Sequence, residues 1–469
     1  MRKIGISLCG WLMVMGLWGS PVLAQKRSVA EEILDILRAE HQISEDKYYE
    51  LLNKAKAENE AREAGLEAFR RDPVKDVKRS IDWLDRFTFS GDMRVRSEGF
   101  FQSRGPDATS RIRERIRLRF GATMKITDEV LGGIRLASGD PNDPITTNQT
   151  LTDLFTRKPI SIDQAYITLT PKQSIGLGEY PWNPISITGG KFANPVFRPR
   201  AVMNSEMIWD DDLTPEGFSE TFTLWDSAEG LMRRFQINTL QWTARENTKA
   251  ADAWVLGGQV VGAFQILPRA RLTLAAADYY FAKSDFMAQA RNTNTALVLT
   301  NSVVLKDGTV VKGGFPITPG TGNKQIQSFL GGFNLINPSI QLDYDTGDPR
   351  WPFALMADGV YNSDAPRGGK DWAIWTGVSL GATRNPGDWA FSALWGHVET
   401  DSVMSFFSYS DFGRRGGTNV EGPFVKIDYM LFPRLVLTAR HHFVSFIDRP
   451  KGQSNSMVNR LQLDAVLSF

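Results

Sequence analysis

Cysteine, histidine and long apolar runs are what this chain of 469 residues has least of. It carries one cysteine, Cys9, and four histidines. A single thiol excludes a disulfide framework and a cysteine-based metal site. His441 and His442 are adjacent, so on a strand they face opposite sides and cannot share a metal ion. An acyl hydrolase would need serine and histidine side by side with an orienting polar group, and these histidines give it little support. Beyond the N-terminus no apolar run approaches the roughly 20 residues of a membrane-crossing helix, and the mean hydropathy is −0.26. A helical membrane protein is therefore excluded. A barrel of strands is not, because alternating residues barely register on a hydropathy scale. A surplus of one charge is missing too: 54 basic against 53 acidic side chains give a net +1, which argues against a dedicated nucleic-acid binder. No glycine loop of the phosphate-binding kind occurs, and nothing calls for a cofactor.

What is present begins with "MRKIGISLCGWLMVMGLWGSPVLAQ". Arg2 and Lys3 precede an apolar run from about Leu8 to Trp18, and Val22 and Ala24 are small residues at the positions a signal peptidase reads. This predicts a signal peptide over 1–24 and export to the cell envelope.

Residues 25–80 differ from everything downstream. They are rich in Glu, Ala, Lys and Leu, with Val29, Ile33, Ile36 and Leu37 on one helical face and Tyr48, Leu51 and Leu52 on another. Ser44 fits an N-cap with Glu45 and Asp46 in the first turn, and Pro73 marks the end of the pattern. Two helices with a turn near His41–Ser44 are expected, as a spacer or oligomerisation element in the periplasm, or as a contact to peptidoglycan or a partner.

From Phe87 the period becomes two and stays so through 81–469. "FTFSGDMRVRSE" puts Phe87, Phe89, Met93 and Val95 on one face and Thr88, Ser90, Asp92, Arg94 and Arg96 on the other. Comparable segments follow at about 111–126, 130–138, 162–170, 185–193, 217–225, 234–245, 253–266, 270–282, 327–344, 353–362, 372–382, 388–399, 420–431, 434–446 and 459–469. These make 16 strands, an even number as a bacterial single-chain barrel requires. Connections after even-numbered strands are short ("TDE", "LPR", "FPR"), with one longer exception, "PKQSIGLGEYPWNP". Those after odd-numbered strands include 139–161, 194–216, 283–326, 400–419 and 447–458. A soluble sandwich has no reason to sort connection length by parity. The expected fold is all-β: a transmembrane antiparallel barrel of about 16 strands behind a short α-helical segment.

The leader, the helical preamble, the 16 alternating strands and the final aromatic Phe469 resemble the putative porins of Gram-negative outer membranes. "GGKFANPVF" (Gly189 to Phe197) and "MIWDDDLTPEGFS" (Met207 to Ser219) are similar to that family's segments around its third external loop. The resemblance covers about 87–469. It implies passive, non-hydrolytic passage of small polar solutes, contact with outer-membrane lipid and lipopolysaccharide and, as in related 16-stranded porins, a homotrimer.

One stretch carries most of the local charge. In "RIRERIRLRF" every odd position from 111 to 119 is arginine. On a strand Arg111, Arg113, Arg115, Arg117 and Arg119 point the same way. Facing lipid each would cost about 2–4 kcal/mol at mid-membrane, so five would cost on the order of 10 kcal/mol, the net stability of a whole domain. A helix would scatter them around its circumference. The stripe must face the lumen, with Glu114 pointing outward as the one blemish, and Arg94 and Arg96 join it from the neighbouring strand. Such a wall favours passage of anions. The connection 194–216 occupies the constricting loop's position in the porins the chain resembles, and it carries Arg198, Arg200, Asp210, Asp211 and Asp212. Two readings stay open: these charges face the arginines across a water-filled constriction, or the acids pair with the arginines and brace the barrel.

Overall fold

The computed structural model describes residues 29–40, 42–102, 110–152, 154–201, 203–368, 370–413, 417–449 and 457–469. The expected signal peptide, 1–24, lies outside them. The chain divides between Asp85 and Arg86 into two units.

The first unit is a helical hairpin of α1 (Val29–Ala39) and α2 (Glu45–Ile81). Ser44 caps α2, its Oγ accepting from the Lys47 amide at 3.4 Å. Tyr48 closes the hairpin by donating to Asp35 at 2.5 Å, under the Arg38 guanidinium, 4.7 Å from its ring centre. Two expectations need correcting. The helix runs through Pro73 to Ile81, because a proline removes a single backbone donor and the flanking turns hold. The buried side of α1 is Leu34, whereas Ile33 and Ile36 are exposed. The Tyr48–Asp35 bond, and not the apolar period, decides which face packs.

The second unit is a closed barrel of 16 antiparallel strands: β1 (Phe87–Gln102), β2 (Arg111–Lys125), β3 (Val130–Ser138), β4 (Ile160–Leu169), β5 (Ile185–Lys191), β6 (Glu216–Asp226), β7 (Met232–Arg245), β8 (Ala253–Leu267), β9 (Ala270–Ala282), β10 (Asn334–Tyr344), β11 (Phe353–Asn362), β12 (Trp372–Gly381), β13 (Trp389–Val398), β14 (Val420–Phe432), β15 (Leu435–Phe446) and β16 (Val458–Ser468). β16 closes on β1 from Asp92↔Ser468 to Gln102↔Val458, so no edge is left unpaired. The C-terminal residue locks this seam: Phe469 and Gly91 exchange backbone hydrogen bonds of 3.0 Å in both directions, and the Phe469 ring stacks on Phe120. Lipid-facing positions alternate with lumenal ones, as at Ile112 and Phe120, 69% and 43% exposed.

The tenth strand starts later than its sequence pattern. Residues Ile326–Phe329 instead pair with Val303–Leu305 in a small sheet that also holds Val310–Val311, and the barrel strand begins at Asn334. Gly331-Gly332 separates the two. A Cβ at Gly331 would lie 2.7 Å from Pro366 of a neighbouring loop, so only glycine allows that approach.

External loops are numbered here by order: loop 2 (139–159), loop 3 (192–215), loop 5 (283–333) and loop 7 (399–419) are the long ones that enter the argument. Loops 3, 5 and 7 fold inward. Trp209 of loop 3 is buried against Trp242 of β7 and Tyr279 of β9, each with ring centres at 5.3 Å, and against Phe407 of loop 7. Tyr409 and Phe412 of loop 7 pack edge-on to Trp375 of β12. One continuous apolar cluster thus joins the three loops to the inner wall of β7–β15. Loop 3 leaves and re-enters the wall at two facing glycines, Gly190↔Gly217, with φ of 119° and 132°. A Cβ at either would lie 2.4 or 2.3 Å from a carbonyl oxygen of the next strand, so both positions demand glycine.

The long internal turn 170–184 is ordered by one carboxylate. Glu129, in the neighbouring turn, accepts from the backbone amides of Lys172 at 2.8 Å, Ser174 at 3.0 Å and Gln173. The Ser174 hydroxyl first, and then these amides, pull its pKa down to about 2. A depressed carboxylate stabilises above its unfolded value and loses that contribution as pH falls through its folded one. The clamp should therefore hold at neutral pH and release as pH drops from about 4.5 toward 2. Glu129→Gln should speed amide exchange at 172–174 at pH 7 and leave the barrel's strand amides protected.

Candidate functional site: the arginine wall and its inward loops

The register of β1 and β2 sets the chemistry of one lumenal wall. Reading along β1, Asp92, Arg94, Arg96 and Glu98 lie opposite Arg119, Arg117, Arg115 and Arg113. Two arginine–arginine pairs in the middle are flanked by two acid–arginine pairs. Like charges directly opposite are destabilising, so the middle needs acids from elsewhere. β16 supplies one: Asp464 stands opposite Arg96 and takes both of its forks at 2.7 and 2.8 Å. Arg96 is 1% exposed and Glu98 0%. Glu98 accepts from Arg113, from Arg460 at 2.5 and 2.8 Å, and from Gln462 at 2.8 Å. Asp92 binds Arg117 at 2.7 Å and Arg119 at 2.6 Å.

The loops complete the network. Asp411 of loop 7 pairs with Arg460 at 2.5 Å and Arg96 at 3.1 Å, and accepts from Gln462 at 2.9 Å. Asp212 of loop 3 meets Arg119 at 3.2 Å and Arg117 at 3.8 Å, and accepts from the Thr147 amide of loop 2 at 3.1 Å. Arg94 donates to Asn148 of loop 2. Arg115 has its nearest carboxylate, Glu98, at 3.8 Å, and Nε of both Arg94 and Arg115 is buried without a partner. Arg111 is exposed at the outer end of the stripe. Glu114 faces outward as expected, accepting from Ser97 Oγ at 2.9 Å.

Of the five charged residues singled out in loop 3, only Asp212 touches the arginine wall. Asp211 pairs with Arg198 at 2.7 Å inside the loop, and Arg198 also donates to the Trp209 carbonyl. Asp210 is buried and ties loop 3 to loop 7, accepting from the Ser410 amide at 3.1 Å, while its own amide donates to the Phe407 carbonyl at 2.8 Å. Arg200 lies across the barrel, where its amide donates to Gln341 of β10 at 2.9 Å. Loop 3 therefore spans the lumen from the arginine wall to β10. Below Arg200, toward the short turns, lies a chamber of about 790 Å³.

Sequence reading missed Asp92 and Glu98 as partners, although both share the even parity of Arg94 and Arg96. It also missed Asp411, Arg460 and Asp464, for which the local pattern holds no signal. Among the described residues no cluster of three His, Cys, Asp or Glu side chains is arranged to hold a metal ion.

Two predictions follow from this network. Glu206 of loop 3 accepts from the Asp211 amide at 3.1 Å, and its carbonyl accepts from the Tyr409 amide of loop 7 at 3.0 Å. Burial first, and the Asp211 charge second, push its pKa up to about 8; burial and Glu206 also raise Asp210. A raised carboxyl contributes stability that is complete below its unfolded pKa and lost as pH rises through its folded one. The contact between loops 3 and 7 should thus weaken progressively as pH rises from about 4.5 to about 8, read as exchange of the Asp210 and Ser410 amides that accelerates more than base catalysis alone requires, and Glu206→Gln should reduce that excess. Asp411→Asn, which strips a shared carboxylate from two buried guanidiniums, should lower stability by about 3 kcal/mol, measured by thermal unfolding in detergent.

A family model described as "Putative porin" matches residues 106–312 and 354–469. OprB of Pseudomonas putida, in its high-pH structure, aligns with a TM-score of 0.50 at 12% identity, over 83% of this chain and 96% of that one. OmpF of Salmonella typhi, in complex with daunomycin, aligns at 0.46 and 9% identity, over 82% and 97%. At 12% identity the likeness to OprB speaks for the fold alone. No curated protein sequence matches the chain. The family match spans most of the closed 16-stranded barrel, and the chain belongs to the putative porin family of outer-membrane channels.

Proposed function

We propose that the barrel lets small hydrophilic solutes diffuse passively across the outer membrane, with a bias toward anions. The observation that carries the bias is the charge balance of the arginine wall. Arg94, Arg96, Arg113, Arg115, Arg117, Arg119 and Arg460 face five carboxylates, Asp92, Glu98, Asp212, Asp411 and Asp464. Within this set two positive charges remain uncompensated, and a low-dielectric surround extends their field. Pairing supports the bracing reading for most of the stripe; the surplus supports a moderate selectivity and not a strong one. The reading is of a channel without catalysis.

We infer further that the apolar outer band sits in lipid and lipopolysaccharide and that the protomers associate as a homotrimer. α2, 37 residues long and so about 55 Å, is long enough to reach peptidoglycan or a partner across part of the periplasm, which supports a tethering role for 26–80 alongside the channel. In planar bilayers under a tenfold KCl gradient, the reversal potential should take the sign of chloride preference, and proteoliposomes should swell in small neutral sugars. A reversal potential of potassium sign would overturn the anion bias. Deleting 26–80 should leave single-channel conductance unchanged and reduce sedimentation of the protein with purified cell wall.

A further inference from the structure

Outside the stripe, a second group of arginines carries no ion-pair partner among the described residues. The chamber beneath loop 3 is lined by Arg200, Arg269, Arg271 and Arg384, with Asp343, Asp345 and Asp348 among its other lining residues. Arg200 comes from loop 3, Arg269 and Arg384 from two short turns, and Arg271 from the start of β9, so four separate segments place arginines around one volume. All four are exposed to solvent, and among the described residues none of them forms a salt bridge. The three aspartates are each engaged locally. Asp343 accepts twice from Gln341 Nε2, at 2.9 and 2.8 Å, Asp345 from the Gly347 amide at 2.9 Å, and Asp348 from the Arg350 amide at 2.9 Å, with Arg350 Nε 3.5 Å away.

This contrast decides where an anion would dwell. On the wall, a guanidinium such as Arg96 or Arg460 is buried and already holds carboxylates; a solute would have to displace them. In the chamber a guanidinium gives up only water, and its planar fork matches a carboxylate or phosphate with two parallel hydrogen bonds. About 790 Å³ falls within the range of small-molecule sites, roughly 300–1,000 Å³. One acid group would satisfy one or two of the arginines; the spread of four around the chamber suits a solute with several. We propose that this chamber is a binding station for small organic polyanions, bearing two or more carboxylate or phosphate groups, on the short-turn side of loop 3. The proposal rests on the channel reading and gives it a substrate class and a location.

The test is current block by citrate, with glucose as the uncharged control, for the full-length protein in planar bilayers at 0.1 M KCl. Citrate at millimolar concentration should reduce chloride current when added on the short-turn side, and glucose should not. The quadruple variant Arg200→Gln, Arg269→Gln, Arg271→Gln, Arg384→Gln should need at least tenfold more citrate for half block. Because all four side chains are exposed, it should keep the wild-type heat-resistant mobility on gels, and Lys249→Gln, in a loop at the opposite end, should block like wild type. Citrate block unchanged in the quadruple variant, or a conducting wild type that citrate does not block, would overturn the proposal alone. A folded wild type that passes no current would overturn the channel reading with it.

Discussion

An arginine on the lipid face of a barrel costs about 2–4 kcal/mol at mid-membrane, and the rest of this structure accommodates that constraint. It fixes the register of β2, since a slip by one residue would turn the whole stripe outward. Placing the stripe inside creates the opposite difficulty, two arginine–arginine pairs facing each other across β1 and β2. The solution is layered: Asp92 and Glu98 on the same strand, Asp464 on the strand that closes the barrel, then Asp212 and Asp411 brought in by loops 3 and 7. The wall thereby holds the loops as much as the loops neutralise the wall.

The far side of the lumen is held by different physics. There the outer ends of β7–β15 turn apolar residues such as Trp242, Tyr279, Trp375 and Phe424 inward, and Trp209, Tyr409 and Phe412 from loops 3 and 7 fill the space between them. A barrel of 16 strands is wide enough to leave an aqueous interior, so this apolar inner wall is stable only because the loops cover it. Loop 3 links the two regimes, salt-bridged at Asp212 and buried in aromatics at Trp209. Beyond it, on the short-turn side, the lining returns to exposed arginine and aspartate.

The strands were legible because period two survives in each of them, and because loop parity constrains the count independently. The fate of the stripe was legible from energy alone. Its partners were not: Arg96 and Asp464 are 368 positions apart and meet only when the barrel closes. The apolar inner wall was hidden for a related reason. In "WAFSALWGHV" (Trp389 to Val398) both faces of the outer half are apolar, Leu394 buried inward and Trp395 exposed outward, so the alternation says which residues face together and not what covers them. In α1 the apolar period indicated the wrong face, because the side that meets α2 is the one where Tyr48 bonds Asp35 and Leu34 is buried. Of the loop-3 charges, Asp212 and Arg200 reach opposite sides of the lumen, a separation that follows from where the loop turns and leaves no mark in local composition.

The claim on which all of this stands is that odd positions of "RIRERIRLRF" face water and even positions face lipid. The chain has a single cysteine, Cys9, within the predicted leader, so spin labels can be placed one at a time at Arg113→Cys and Leu118→Cys in proteoliposomes. Collision rates with membrane-dissolved oxygen and with a water-soluble nickel chelate then report the medium at each site. The account predicts oxygen-dominated relaxation at 118 and nickel-dominated relaxation at 113; the reverse order would contradict it.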